Sequence, residues 1–130
     1  MIEQLLDTRV LLLFLQNDPS LPSSLARQIE DRERRSLISM ATLWEIADKQ
    51  SLGRVVFPAA LRPDLPILLL DQGFEILPID WATMRRAASL PRHHDDSTDR
   101  LLVAEAIDRD IPILSLDPRL DAYGIRRIES

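Results

Sequence analysis

An α/β fold around a short, mostly parallel sheet is predicted by three features of the sequence. Apolar runs of strand length alternate with stretches of helical period along the chain. Two of those runs end directly on an aspartate, Asp7 and Asp117. The length of 130 residues, at 45% hydrophobic and 28% charged, suits one globular domain over residues 1–130 with enough apolar surface to form a core. Strands separated by helices imply βαβ units, which set the strands parallel and cover both faces of the sheet.

The elements follow in order. Gln4-Leu5-Leu6 reads as a short buried strand ending at Asp7, and Thr8–Leu15 as a helix stopped by Asn17-Asp18-Pro19. Over Pro22–Arg34 a second helix is predicted, with Leu25 and Ile29 four apart on its inner face. Leu37-Ile38-Ser39 is the next strand. Thr42–Ser51 is helical through Leu43, Ile46 and Ala47, with Gly53 placed where a C-terminal cap belongs. Pro58, Pro63 and Pro66 then divide the middle into short helical pieces. Phe74–Ile79 alternates as a third strand, and Asp80 stands at the N-cap of a helix over Trp81–Ser89. Leu90–Asp96 is a polar loop before a strong helix at Thr98–Arg109. Ile111–Leu116 forms a strand, Asp117-Pro118 opens a turn or short helix, and a last strand lies near Ile125–Ile128.

Composition removes several function classes. Without cysteine there is no disulfide, thiol nucleophile or thiolate metal site. A net charge of −5 argues against a simple basic surface for nucleic acid, whose affinity for phosphate comes from excess positive charge. The longest apolar run near the N-terminus, Val10–Leu15, is too short for a membrane span and follows acids rather than a basic flank. A soluble, cytoplasmic protein with no membrane partner is expected.

The carboxylates carry the chemistry. Asp7 and Asp117 fall at strand carboxyl ends, the edge where parallel sheets build sites. Asp99 lies in the first turn of its helix, with Leu102, Val103 and Ala106 at helical spacing, so it stands on or beside the buried face. Glu45 sits mid-helix with Lys49 four residues on, a spacing that also suits an exposed ion pair. Asp7, Asp96 and Asp117 each have a plain reading as caps. Together, however, half-buried acids at one sheet edge repel one another and need compensation. A hard divalent cation with oxygen ligands supplies it, and such an ion can activate water for displacement at phosphorus.

Five stretches then resemble a known family: Leu5-Leu6-Asp7-Thr8; Ser39–Ala47 around Glu45; Leu90-Pro91-Arg92-His93-His94; Asp96–Ala106; and Ile113-Leu114-Ser115-Leu116-Asp117. In order and spacing they are similar to PIN-domain ribonuclease toxins of the VapC type, from Leu5 to about Ile128. The resemblance implies a three-layer α/β/α domain, with Asp7, Glu45, Asp99 and Asp117 as catalytic metal ligands and Asp96 as an additional acid near the site. It further implies Mg²⁺ or Mn²⁺, hydrolysis of RNA by a metal-activated water, a tightly bound cognate antitoxin and a homodimer. The sequence departs from the family pattern in Arg9, where histidine is usual, in Ser97-Thr98 between the two aspartates, and in the added acid Asp95.

Among the cations, Arg9, Arg92 and Arg100 adjoin the acids in sequence and are the candidates for holding RNA phosphate. Arg32, Arg34 and Arg35 alternate with Glu30, Asp31 and Glu33 and read as a solvated helix end. His93 and His94 belong to a loop that orients the acids or touches RNA, since direct ligation fits an all-oxygen site poorly. The expected activity is a metal-dependent endoribonuclease acting as the toxin of a type II toxin–antitoxin pair. A PIN-like protein-binding module without catalysis is the alternative. A phosphoryl-accepting receiver domain is disfavoured because the lone lysine, Lys49, lies on a mid-chain helix rather than after a late strand.

Overall fold

The computed structural model describes residues 1–55, 64–93 and 96–130; Pro58, Pro63, His94 and Asp95, which figured in the sequence reading, lie outside them. Five strands, β1 (Ile2–Leu6), β2 (Arg34–Ser39), β3 (Glu75–Leu77), β4 (Ile113–Leu114) and β5 (Arg127–Ile128), form one sheet in the order β3-β2-β1-β4-β5. Every pairing is parallel. All five carboxyl ends therefore meet along one edge, which is what the fold contributes to a site.

Strand alternation builds the three layers. Leu5, Leu37 and Ile113 project to one face and pack with Leu102, Val103 and Ala106 of helix α6 (Ser97–Arg109). Their neighbours Leu6, Ile38 and Leu114 project to the other. There they meet Val10 and Leu11 of α1 (Thr8–Leu15), Leu25 and Ile29 of α2 (Ser23–Glu30), Ile46 of α3 (Met40–Ser51) and Leu69 of α4 (Leu65–Asp71). Helix α5 (Trp81–Ser89) packs on α6, where the Thr83 hydroxyl donates to Asp108 at 3.1 Å. Burying each leucine in these faces contributes about 1.5–3 kcal/mol relative to leaving it in water. No helix among the described residues is long and apolar enough to cross a membrane.

Local signals set most boundaries. Asp7, Ser39, Asp64, Asp80 and Asp96 each cap the following helix by accepting a backbone N–H in its first turn. Gly53 takes the left-handed conformation (φ 71°) just beyond α3, as its position predicted.

Three boundaries differ from the sequence reading. The second helix stops at Glu30 rather than Arg34, because Asp31 turns the chain by accepting the Glu33 N–H at 2.9 Å and Arg34–Ser39 then pairs with β1. Arg34 and Arg35 are thus strand residues, not a helix end: Arg34 pairs with Asp31 at 3.5 Å, and Arg35 with Glu3 and Glu75 at 3.2 Å each. Helix α3 begins at Met40, two residues early, since Ser39 rather than a later residue caps it. The predicted strand Ile111–Leu116 keeps regular pairing over Ile113–Leu114, after which Asp117 caps a 3-10 helix, Pro118–Tyr123.

Candidate metal centre

At the carboxyl edge of the sheet a cleft of about 500 Å³ gathers residues from five separate segments. It is lined by Asp7, Glu45, Asp96, Asp99 and Asp117, together with Arg9, Lys49 and Arg119. The five acids singled out in the sequence share this one cleft although they span more than a hundred positions of chain.

Asp7 is the most perturbed of them. It follows β1, is 6% exposed, and its carboxylate accepts the Val10 N–H at 2.8 Å as cap of α1. Burial raises its pKa from 3.8 to about 6. Hydrogen bonds from Ser115 and Val10 oppose that rise, and the negative charges of Asp99 and Asp117 add to it. That last contribution is the repulsion expected of acids gathered at a sheet edge.

The neighbours are held by different means. Asp96 caps α6 by accepting the Asp99 N–H at 3.1 Å, so its plain reading and its place in the cleft are both met. Glu45 pairs with Lys49 at 2.9 Å, yet its side chain is only 17% exposed. The ion pair is therefore a wall of the cleft rather than a solvated pair on a free surface. Asp117 is gripped by the Arg119 guanidinium through contacts of 2.8, 3.0 and 3.1 Å. Its own N–H donates to the Ser115 hydroxyl at 3.0 Å. The Arg119 pKa is raised by the hydrogen bonds to Asp117 first, then by the charges of Asp117, Asp99 and Asp96.

Sequence spacing hid two participants. Arg119 escaped because it follows Asp117 by two positions inside a 3-10 turn, and Ser115 read as part of a strand; its place two residues before Asp117 was the available signal. The candidate RNA-holding arginines divide. Arg9 lines the cleft, Arg92 is exposed in the loop before α6, and Arg100 is 5% exposed and is not among the lining residues. His93 is exposed and packs edge-on against Tyr123 with ring centroids 4.8 Å apart, away from the lining.

The donor chemistry fits a hard divalent cation: the acidic lining is all carboxylate oxygen, with no imidazole in it. Among the described residues no three such side chains stand at ligating separation, and two acids lie on the chain's own cations, Lys49 and Arg119.

A family model described as the PIN domain matches residues 5–125. No curated protein matches by sequence. Among solved structures, the fold is similar to VapBC2 from Rickettsia felis bound to a DNA fragment from their promoter, at 13% identity and TM-score 0.72, covering 98% of each chain. It is also similar to VapBC-1 from nontypeable Haemophilus influenzae, at 14% identity and TM-score 0.69 over 98% of each chain. A third likeness is to FitAcB from Neisseria gonorrhoeae, at 19% identity and TM-score 0.64 over 96% of each.

Proposed function

The chain belongs to the PIN-domain family, and from that membership we propose that it is a metal-dependent endoribonuclease, the toxin of a type II toxin–antitoxin pair. The observation that carries the reading is the convergence of Asp7, Glu45, Asp96, Asp99 and Asp117 on one cleft at the carboxyl edge of the sheet. In this reading Asp7, Glu45, Asp99 and Asp117 hold Mg²⁺ or Mn²⁺, with Asp96 beside them. A bound divalent cation would supply Lewis-acid charge for generating a water nucleophile near neutral pH and for offsetting charge at the scissile phosphate.

The chain's own residues prepare that chemistry. Asp7 gives up its proton near pH 6, so the cleft reaches its full negative charge only as neutrality is approached. Ser115 fixes the Asp117 backbone and hydrogen-bonds Asp7, which orients two acids from one hydroxyl. Arg9 and Arg119 bring guanidinium groups to the same walls, where they suit the phosphates on either side of the cut. Hydrolysis of this kind leaves a 5′-phosphate and a 3′-hydroxyl. The likeness to the VapBC and FitAcB structures supports an antitoxin as protein partner, and a homodimer is proposed on the same family grounds.

The test is cleavage of a mixed cellular RNA pool by purified protein in Mn²⁺ or in EDTA, beside Asp99→Asn. Discrete cuts lost with EDTA and with the substitution support the reading. Absence of cleavage by folded protein stripped of any bound partner overturns it in favour of a PIN-like protein-binding module. The pairing of Glu45 with Lys49 and of Asp117 with Arg119 is the observation on that second side, because internal cations already neutralise two of the acids.

A further inference from the structure

One buried acid takes no part in the cleft. Glu105, on α6, is 3% exposed, and its Oε1 accepts a short hydrogen bond from the Ser39 hydroxyl. Ser39 in turn ends β2 and caps α3 by accepting the Ala41 N–H at 3.0 Å. Glu105 Oε2 is buried with no hydrogen-bond partner among the described residues. A buried carboxyl with one bare oxygen is costly as an anion and acceptable as an acid.

The placement of this contact gives it a role. Ser39 precedes Glu45 by six residues along α3, and Glu105 follows Asp99 by six along α6. The two helices pack together, with Ser39 against Glu105 at one end and Glu45 and Asp99 sharing the cleft at the other. At 1.5 Å per residue each acid lies about 9 Å along its helix from the contact. A hydrogen bond at that point fixes the axial register of α3 on α6. Slipping one helix by a residue would move Glu45 past Asp99 by about 1.5 Å, enough to spoil a shared ligand geometry.

We propose that Glu105 is a positioning residue, a buried brace on Ser39 that sets the spacing between Glu45 and Asp99. The brace is coupled to a proton. Burial raises the Glu105 pKa from 4.5 to about 7, the Ser39 bond and the Arg109 charge opposing that rise while Asp108 and Asp80 add to it. Those charges come from α6 itself and from the N-cap of α5; the β2–α3 junction presents the neutral Ser39 hydroxyl. A cleft of about 290 Å³ between the end of β3, α5 and α6 borders Glu105 and gives the proton a path to solvent. Below neutrality the brace is a neutral acid, and above it an anion with one unsatisfied oxygen pushes against the contact.

This inference adds a residue to the metal-nuclease reading and uses that reading to say what the spacing is for. The experiment follows backbone amides by NMR in EDTA from pH 5.5 to 8.5, in the wild type and in Glu105→Gln, which keeps an acceptor for Ser39 but cannot titrate. A step near pH 7 at Ala41, Glu45 and Asp99 that disappears in Glu105→Gln is the expected result. A step confined to the surroundings of Glu105 and Ser39, or one that persists in the Gln variant, overturns the proposal. Mn²⁺ affinity by calorimetry is the second readout. Glu105→Leu, folded by circular dichroism, is expected to lose about tenfold or more, as outer-shell substitutions do, while Glu105→Gln stays close to wild type. Unchanged affinity in folded Glu105→Leu also overturns the brace, and if that variant does not fold the amide titration decides alone. Failure of the wild type to cleave RNA would remove the nuclease reading but leave the amide result standing.

Discussion

Replacing Asp7 by asparagine should make the metal-free protein more stable at neutral pH while abolishing cleavage. The magnitude follows from the buried carboxyl. Its pKa is raised from 3.8 to about 6, roughly two units. At about 1.4 kcal/mol per unit the ionised form costs the fold up to about 3 kcal/mol at neutrality. An acid whose pKa is raised on folding contributes its full stability below pH 3.8 and loses it as pH climbs through about 6, after which the loss is constant. Asparagine carries no such loss, and its carbonyl can still accept the Val10 N–H that Asp7 caps. Its amide lies where the Ser115 hydroxyl can accept. Allowing for an imperfect amide fit, the gain at pH 8 is about 1–3 kcal/mol, a rise of roughly 4–10 °C in Tm for a chain of this size. The assay is thermal unfolding of both proteins by circular dichroism in EDTA, from pH 4 to 8. The difference should shrink toward zero at pH 4. An Asn variant no more stable than wild type at pH 8, or a gain independent of pH, would refute the argument that burial and acid repulsion strain this cleft.

Other consequences are open to the same kind of check. Mn²⁺ at about one hundred times its dissociation constant should stabilise the protein by about 2.7 kcal/mol, and Asp99→Asn should lose most of that shift in a thermal melt. Arg119→Ala frees Asp117 from a competing cation and should tighten Mn²⁺ binding about threefold or more by calorimetry, a charge-assisted contact being worth more than a neutral one. Weaker binding would show that Arg119 orders Asp117 for the metal instead. Glu105→Gln should raise stability at pH 8 but not at pH 4.5, because the Glu105 pKa is raised to about 7 and its stabilising protonated form is lost across that interval. Leu102→Ala, in the fully buried face of α6, should cost about 2–5 kcal/mol in urea unfolding; a cost below one would place the core elsewhere.

The sequence by itself determined whatever depends on near neighbours. Period-two and period-3.6 patterns located the strands and helices. A side chain reaching a backbone N–H two or three residues on made Asp7, Asp80, Asp96 and Asp117 legible as caps, and the order of acids at strand ends pointed to the edge where a cleft forms. Tertiary structure decided everything that required a partner distant in the chain. Arg34 and Arg35 belong to a strand because β1 offers a register from Ile2 to Leu5, which a local helical pattern cannot reveal. Glu45 and Lys49 look the same in sequence whether solvated or walling a cleft, and only the packing of α3 chose between them. Ser39 and Glu105 stand 66 residues apart, so their hydrogen bond exists only once α3 and α6 are docked. Local chemistry repeats wherever a spacing recurs. A buried charge acquires its energy, and its consequence for the acids around it, from the chain that folds over it.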